Sequence, residues 1–198
     1  MGETMGILIN LIVRLHQAVF GFVDRVTRGW FLELAARFVF ASVLMVYFFN
    51  SALTKVGPGL FGFLRPSDGA YAQILPTLME KVSYDTSMIA FFPYGLIVLV
   101  GTWAEFLLPV LVIVGLFTRV ASIGMIGFII VMTVVDITGH GVGAETIGRM
   151  FDGNPSSLIA DQRLMWVMIL LVPALKGAGR VSLDALLVRS RKSRERYT

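Results

Sequence analysis

The sequence contains no cysteine and little charge. Only 15% of its 198 residues are charged and 56% are hydrophobic, whereas an average soluble domain has about 25% charged and about 45–50% apolar residues. The missing cysteine excludes disulfide scaffolds, iron–sulfur clusters held by thiolates and thiol nucleophiles. The scarcity of charge excludes an intrinsically disordered chain. The mean hydropathy of +0.78 instead favours an all-α polytopic membrane protein.

Four apolar segments are long enough to cross a bilayer, which takes roughly 20 helical residues. They cover about 31–53, 87–117, 120–138 and 157–175. The second is longer than a bilayer requires and contains Pro93 and Pro109, so we expect kinks there. The fourth spans only if its polar residues 161–163 lie in the headgroup layer or face other helices, and a half-inserted segment is the alternative. We predict a four-transmembrane-helix bundle over residues 31–176.

The segments at the two ends of the chain differ from the apolar windows. In residues 1–30, apolar side chains recur at helical spacing opposite a polar side: Leu8, Leu11, Ile12, Leu15, Val19 and Phe22. This pattern predicts an amphipathic helix lying in the membrane interface. Residues 177–198 form a basic tail that anionic lipid attracts, and we do not expect it to bind nucleic acid.

Lys and Arg are distributed unevenly between the two sides of the predicted bundle. If both termini lie on one side, most of the 17 Lys and Arg residues flank that side. The positive-inside rule then places both termini in the cytoplasm. Two longer loops, about 54–86 and 139–156, face outward. The first contains a short amphipathic pattern that we expect to form a helix over the bundle, and the second is glycine-rich and irregular.

Charged residues inside the apolar windows are the strongest candidates for function, because each costs at least about 2.5–3.5 kcal/mol at mid-span. Counting from the predicted span centres puts Glu105 and Arg37 at the same depth, with Glu33 one turn from Arg37. We therefore predict an intramembrane Glu33–Arg37–Glu105 cluster. It is either a catalytic pair, in which Glu105 carries protons or binds a headgroup and Arg37 tunes it, or a structural ion pair.

A second polar group is predicted towards the outer face. Lys55 ends the first span, Asp136 and His140 lie one turn apart in the third, and Arg163 opens the fourth. Lys55, Asp136 and His140 are weaker candidates for substrate binding, because an Asp and a His one turn apart can relay a proton. Two ligands are too few for a metal site, so we predict none. The favoured interpretation is a polar cap in which Asp136 pairs with Lys55 or Arg163.

Four stretches resemble the DoxX family of small bacterial membrane proteins. They are Arg37 with Lys55, the run from Glu105 to Arg119, a third span rich in small residues, and the GAGRVSLD run from Gly177 to Asp184. The likeness covers about residues 34–187, but Ser51 stands where the family often has glycine, and the first outer loop is long. The resemblance implies a four-helix bundle in the bacterial cytoplasmic membrane. It also implies redox biology, since the related DoxD branch is a subunit of thiosulfate:quinone oxidoreductase.

Three functions follow as hypotheses. The first is a membrane subunit of a quinone-linked redox assembly, an oxidoreductase subunit with bound quinone, no covalent cofactor, and a soluble or membrane partner that supplies electrons. The second is a non-catalytic anchor or scaffold for a partner enzyme. The third is a small-solute or proton pathway, which four spans could form only as a homo-oligomer. The first is narrowly preferred.

Overall fold

The computed structural model describes residues 2–59 and 61–194, and regular structure there is helical apart from one bridge between Val56 and Pro66. The α-helices are α1 (Gly2–Thr27), α2 (Phe31–Lys55), α3 (Asp68–Ile74), α4 (Pro76–Lys81), α5 (Leu96–Val114), α6 (Thr118–Thr138), α7 (Ala144–Ile147), α8 (Leu164–Lys176) and α9 (Leu183–Arg194). Short 3₁₀ and π turns join some of them.

Five helical segments are long and apolar enough to cross a membrane: Met5–Thr27, Phe31–Lys55, Phe91–Val114, Thr118–Thr138 and Leu158–Lys176. The last four contain α2, α5, α6 and α8, and these helices pack in a ring in which α2 and α6 each contact both α5 and α8. No residue of the apolar window in α1 is buried. The chain is therefore an all-helical, multi-pass membrane protein, and α1 lies outside its packed ring.

Helix α2 turns one continuous stripe of side chains towards the other three helices of the ring. Its buried residues recur every three or four positions: Glu33, Ala36, Arg37, Phe40, Leu44, Phe48, Ala52 and Lys55. This spacing is that of one helical face. Three of the apolar members, Phe40, Leu44 and Phe48, join residues of α6 and α8 such as Met125 and Leu170 in the core. The same periodicity brings three ionisable side chains into the bundle.

Two of the ring helices begin with a π turn. Residues Phe91–Gly95 form one before α5, where Phe92 has an extended backbone, and Leu158–Arg163 form the other before α8. The kink predicted at Pro93 is therefore confirmed, because the backbone leaves helical geometry at Phe92 and the α-helix begins at Leu96. A proline ring at position 93 removes a backbone donor and crowds the preceding turn. Pro109, in contrast, lies within continuous helix.

The loops differ modestly from their predicted form. The amphipathic pattern of the first loop is divided into α3 and α4, because Pro76 starts a new helix immediately after Leu75. Helix α3 packs on α2 and α5, so it covers one end of the ring as expected.

We call this end, which carries α3, α4 and α7, the loop end. The opposite end, which holds the α5–α6 turn at residues 115–117 and helix α9, is the turn end.

Candidate functional site

A cavity of about 620 Å³ lies inside the ring near the loop end. Its walls come from α2, α3, α5 and α6, whereas α8 lines none of it. The polar lining residues are Tyr47, Ser51, Lys55, Gln73, Glu105, Asp136 and His140, and the remaining lining residues are apolar or glycine. Small-molecule sites typically have volumes of about 300–1,000 Å³ and mostly apolar walls with a few polar groups. Glu105, Lys55, Asp136 and His140, four residues singled out from the sequence, thus share one cavity.

The central polar feature of this cavity is an ion pair between α2 and α5. Lys55 Nζ lies 2.8 Å from Glu105 Oε2, and both side chains are almost completely buried, with 6% and 3% exposed. Lys55 Nζ also donates to the hydroxyl of Ser51 at 2.8 Å and to its carbonyl oxygen at 3.2 Å. Glu105 Oε2 has no partner with hydrogen-bond geometry among the described residues. The carboxylate is therefore neutralised, yet it can still accept a hydrogen bond.

A second ion pair borders the same cavity. The Arg163 guanidinium contacts Asp136 Oδ2 and donates from Nη1 to the Thr133 hydroxyl at 2.9 Å. Of the two partners predicted for Asp136, the structure selects Arg163. The fourth helix thus turns its basic residue towards α6, as the spanning interpretation of that segment requires. With both cations paired to carboxylates, the four charges at the cavity sum to zero.

His140 lies at the loop end of the cavity. Its ring Nε2 is 3.1 Å from the carbonyl oxygen of Gln73 in α3. It therefore connects the end of α6 to the covering helix rather than completing a metal site with Asp136. In the described ranges, 2–59 and 61–194, no three His, Asp or Glu side chains converge as a metal site requires.

Tyr47 and Ser51 are cavity residues that the sequence analysis missed. Together with Lys55 they form a row on α2 at a spacing of four residues, and all three line the cavity. The Tyr47 ring also packs on Trp166, with centroids 5.4 Å apart. The signal that could have identified this row in the sequence is the recurrence of polar residues every four positions in an apolar helix.

Arg37 does not meet Glu105, so the predicted pair and the Glu33–Arg37–Glu105 cluster do not form. Its guanidinium donates instead to backbone carbonyl oxygens at the turn end. Two lie at the end of α5, Val112 at 3.0 Å and Ile113 at 2.5 Å. The other two follow α8, Ala178 at 3.0 Å and Val181 at 2.6 Å. Arg37 therefore connects α2 to the end of α5 and to the segment that follows α8, and it lies outside the cavity.

The estimate put Glu105 and Arg37 at one depth, but the carbonyl oxygens that Arg37 binds lie nearer the turn end of α5 than Glu105 does. With α5 running from Leu96 to Val114, Glu105 is at its centre. Val112, which Arg37 binds, is seven residues further on, or about 10 Å at 1.5 Å per residue. Glu33 is also buried at the turn end, and its Oε2 has no hydrogen-bond partner among the described residues.

The turn end is closed by the GAGRVSLD run. Gly177 and Gly179 have positive φ angles, and Ser182 Oγ accepts a hydrogen bond from the Ala185 amide, which caps α9. Asp184 accepts hydrogen bonds from the amides of Phe117 and Thr118 and from the Thr118 hydroxyl, at 2.8–3.0 Å. Partial burial alone would raise the pKa of Asp184, but these hydrogen bonds outweigh it and hold that pKa below its ordinary value.

Comparison of the chain with protein-family models, with curated proteins and with solved structures finds no match.

Proposed function

We propose that the chain is a membrane subunit of a redox assembly and that it binds a quinone ring in the cavity beside Lys55 and Glu105. The observation that carries the proposal is the buried ion pair at 2.8 Å on the wall of a 620 Å³ cavity. A scaffold needs no such feature, and every charge placed within a membrane span is costly.

The chemistry of the cavity suits a neutral ligand with carbonyl groups. The four charges cancel, which disfavours an anion or a cation. The Lys55 ammonium can donate a hydrogen bond to a quinone carbonyl oxygen. The Glu105 carboxylate, which lines the cavity, can accept one from a quinol hydroxyl. Reduction of quinone to quinol takes two electrons and two protons. In this proposal the electrons come from a partner protein or from a substrate that becomes oxidised.

The resemblance to DoxX proteins supports the same proposal, and it supports a location in the bacterial cytoplasmic membrane. We further propose four membrane spans, α2, α5, α6 and α8, with α1 lying in the interface and both termini in the cytoplasm. Arg14 and His16 near the middle of α1, and the absence of buried residues in its apolar window, support the interfacial placement of α1. The uneven distribution of Lys and Arg supports the orientation.

The test uses two identical substitutions of buried carboxylates. Wild-type protein, Glu105→Gln and Glu33→Gln are reconstituted in nanodiscs with added quinone, and quinone per protein is measured after extraction. We expect Glu105→Gln to lose about tenfold in quinone affinity, equivalent to about 1.4 kcal/mol, because it loses the charge that holds Lys55. Glu33 lies outside the cavity, so Glu33→Gln should bind like the wild type.

Two results would reject the proposal. One is a wild-type protein that binds no quinone at any ratio tested. The other is a folded Glu105→Gln variant whose quinone affinity equals that of the wild type. If a soluble partner enzyme co-purifies with wild type and Glu105→Gln alike while quinone never binds, the scaffold function replaces the redox one.

A further inference from the structure

The cavity opens sideways, between α5 and α6. Ile97 and Val100 of α5 and Val131 of α6 line the cavity, yet they are 49%, 57% and 60% exposed. Tyr47, Gln73 and His140 also line the cavity and are exposed, but Ile97, Val100 and Val131 form its rim between α5 and α6. These rim residues are apolar and belong to membrane-spanning helices, so the opening faces the hydrocarbon region of the bilayer.

Close contacts limit this opening towards the turn end and towards the loop end. Towards the turn end, α5 and α6 approach so closely at Gly124 that an added Cβ would lie 3.1 Å from Leu108. Towards the loop end, Ile74 of α3 sits over Gly101, where an added Cβ would lie 3.3 Å from its side chain. The contact between His140 and the Gln73 carbonyl oxygen holds α3 at the same end. The lateral opening is therefore bounded at both ends.

We infer that this opening is a portal for a ligand with a hydrocarbon tail, whose ring enters the cavity from the bilayer while its tail remains between α5 and α6. The inference rests on the proposed quinone site and adds its entry route and ligand class. An apolar rim that faces lipid favours a molecule dissolved in the membrane. The border of the cavity at the loop end is polar, because Gln73 and His140 are exposed there, and a water-borne solute would enter at that end. The tail thus contributes to binding, and a tailless ring loses that contribution.

The test compares two valines on one helix. Val131 and Val134 are 60% and 52% exposed on α6, but only Val131 lines the cavity. Wild type, Val131→Trp and Val134→Trp are placed in nanodiscs. Binding of an isoprenoid-tailed quinone is measured by extraction, and binding of a tailless water-soluble quinone by equilibrium dialysis. We expect Val131→Trp to bind the tailed quinone about tenfold more weakly, equivalent to about 1.4 kcal/mol, and Val134→Trp to match the wild type.

The tailless quinone separates the portal from the site behind it. We expect it to bind all three proteins equally and more weakly than the tailed quinone binds the wild type. Equal affinity of both quinones for the wild type, or unchanged binding of the tailed quinone to folded Val131→Trp, would overturn the portal while leaving the proposed site intact. Loss of both quinones from Val131→Trp would also overturn it, because the indole would then fill the cavity. Failure of the wild type to bind either quinone would reject the underlying function.

Discussion

Lys55 keeps its ammonium group inside the bundle although it is the last residue of α2. A helical side chain leans back towards the N-terminus of its helix, so Lys55 points towards the middle of the membrane. Ser51, one turn earlier, accepts two hydrogen bonds from Nζ, and Glu105 supplies the opposite charge. The ammonium therefore has a polar environment at a depth where lipid would offer none.

Substituting one member of the ion pair should lower the free energy of unfolding more than substituting both members. Lys55→Met or Glu105→Gln alone leaves a buried charge without its counter-ion, which typically costs about 3–5 kcal/mol. In the double variant no unpaired charge remains, so most of the lost stability should return. Unfolding by SDS in mixed micelles measures all four proteins. Lys81→Met, at an exposed lysine, controls for the loss of a cation, and additive losses in the double variant would contradict the expected coupling.

At this scale the sequence identified Glu105 as a buried carboxylate but assigned it the wrong partner. Because an apolar window contains few charged residues, the sequence shows which of them need a partner. It does not show how deep each one lies in the membrane, because that depth depends on where each helix begins. The row Tyr47, Ser51 and Lys55 was detectable from its four-residue spacing, whereas the contribution of Gln73 from α3 required the fold of the first loop.

Helix α5 ends at a glycine that no other residue can replace easily. Gly115 has φ of +71°, and an added Cβ would lie 2.6 Å from Ser182 Cβ and 2.9 Å from Arg37 Cζ. Gly115→Ala should therefore destabilise the protein by at least about 1–3 kcal/mol, the cost of a strained backbone alone. Gly127→Ala meets no atom within 4 Å in mid-helix α6 and should stabilise by about 0.5–1 kcal/mol. The free energies of unfolding of the two variants are compared in SDS, and equal effects of Gly115→Ala and Gly127→Ala would contradict the special role of Gly115.

The first turn of α6 depends on the charge of Asp184. Its folded pKa is lowered, so its stabilising effect is complete above the unfolded value of about 3.9 and disappears as pH falls through the folded pKa. Asp184→Asn should cost about 0.5–2 kcal/mol at neutral pH, as loss of a helix cap does. The difference from wild type should shrink towards about pH 3. SDS unfolding at both pH values checks this, with the exposed Asp152→Asn as control, and a difference independent of pH would refute it.

Element boundaries were predictable where a helix end carries its own chemical signal. Gly177, Gly179 and Ser182 marked the end of α8 and the start of α9, because glycine tolerates positive φ and serine caps a helix. The π turns before α5 and α8 contain Pro93 and begin at the capping residue Ser157, respectively, but neither residue distinguishes a π turn from an ordinary helix start. The aromatic run around Phe92 is as apolar as the helix that follows it, so hydropathy merged the two.

At the scale of the whole molecule, the absence of cysteine makes the proposed topology directly measurable. In right-side-out membrane vesicles, an impermeant maleimide should label Thr77→Cys in α4 and spare Ser190→Cys in α9, and inverted vesicles should give the reverse. Gln17→Cys, on the polar side of α1, should be labelled in inverted vesicles if that helix lies in the interface. Ile130→Cys, exposed to lipid in α6, is the unlabelled control. Protection of Gln17→Cys in both preparations would instead make α1 a fifth span.

Composition alone predicted an all-helical membrane protein, because 15% charge leaves few alternatives. It could not decide the placement of α1, whose residues satisfy both the length of a span and the pattern of an interfacial helix. The cavity was not predictable either. Gly101, Ala104 and Gly124 line it on α5 and α6, and which residues of these two helices face each other depends on the packing of the whole ring.

The paired charges around the cavity have an electrical consequence. Lys55 with Glu105 and Arg163 with Asp136 leave no net charge there, so the neutral quinone that we propose as its ligand would move no charge through the transmembrane field on entry from the lipid. Protons that reach the ring from one side of the membrane do move through it, at about 2.3 kcal/mol per charge for a full crossing at 100 mV. Membrane voltage would therefore leave occupancy of the cavity unchanged and act on the protonation that accompanies quinone reduction.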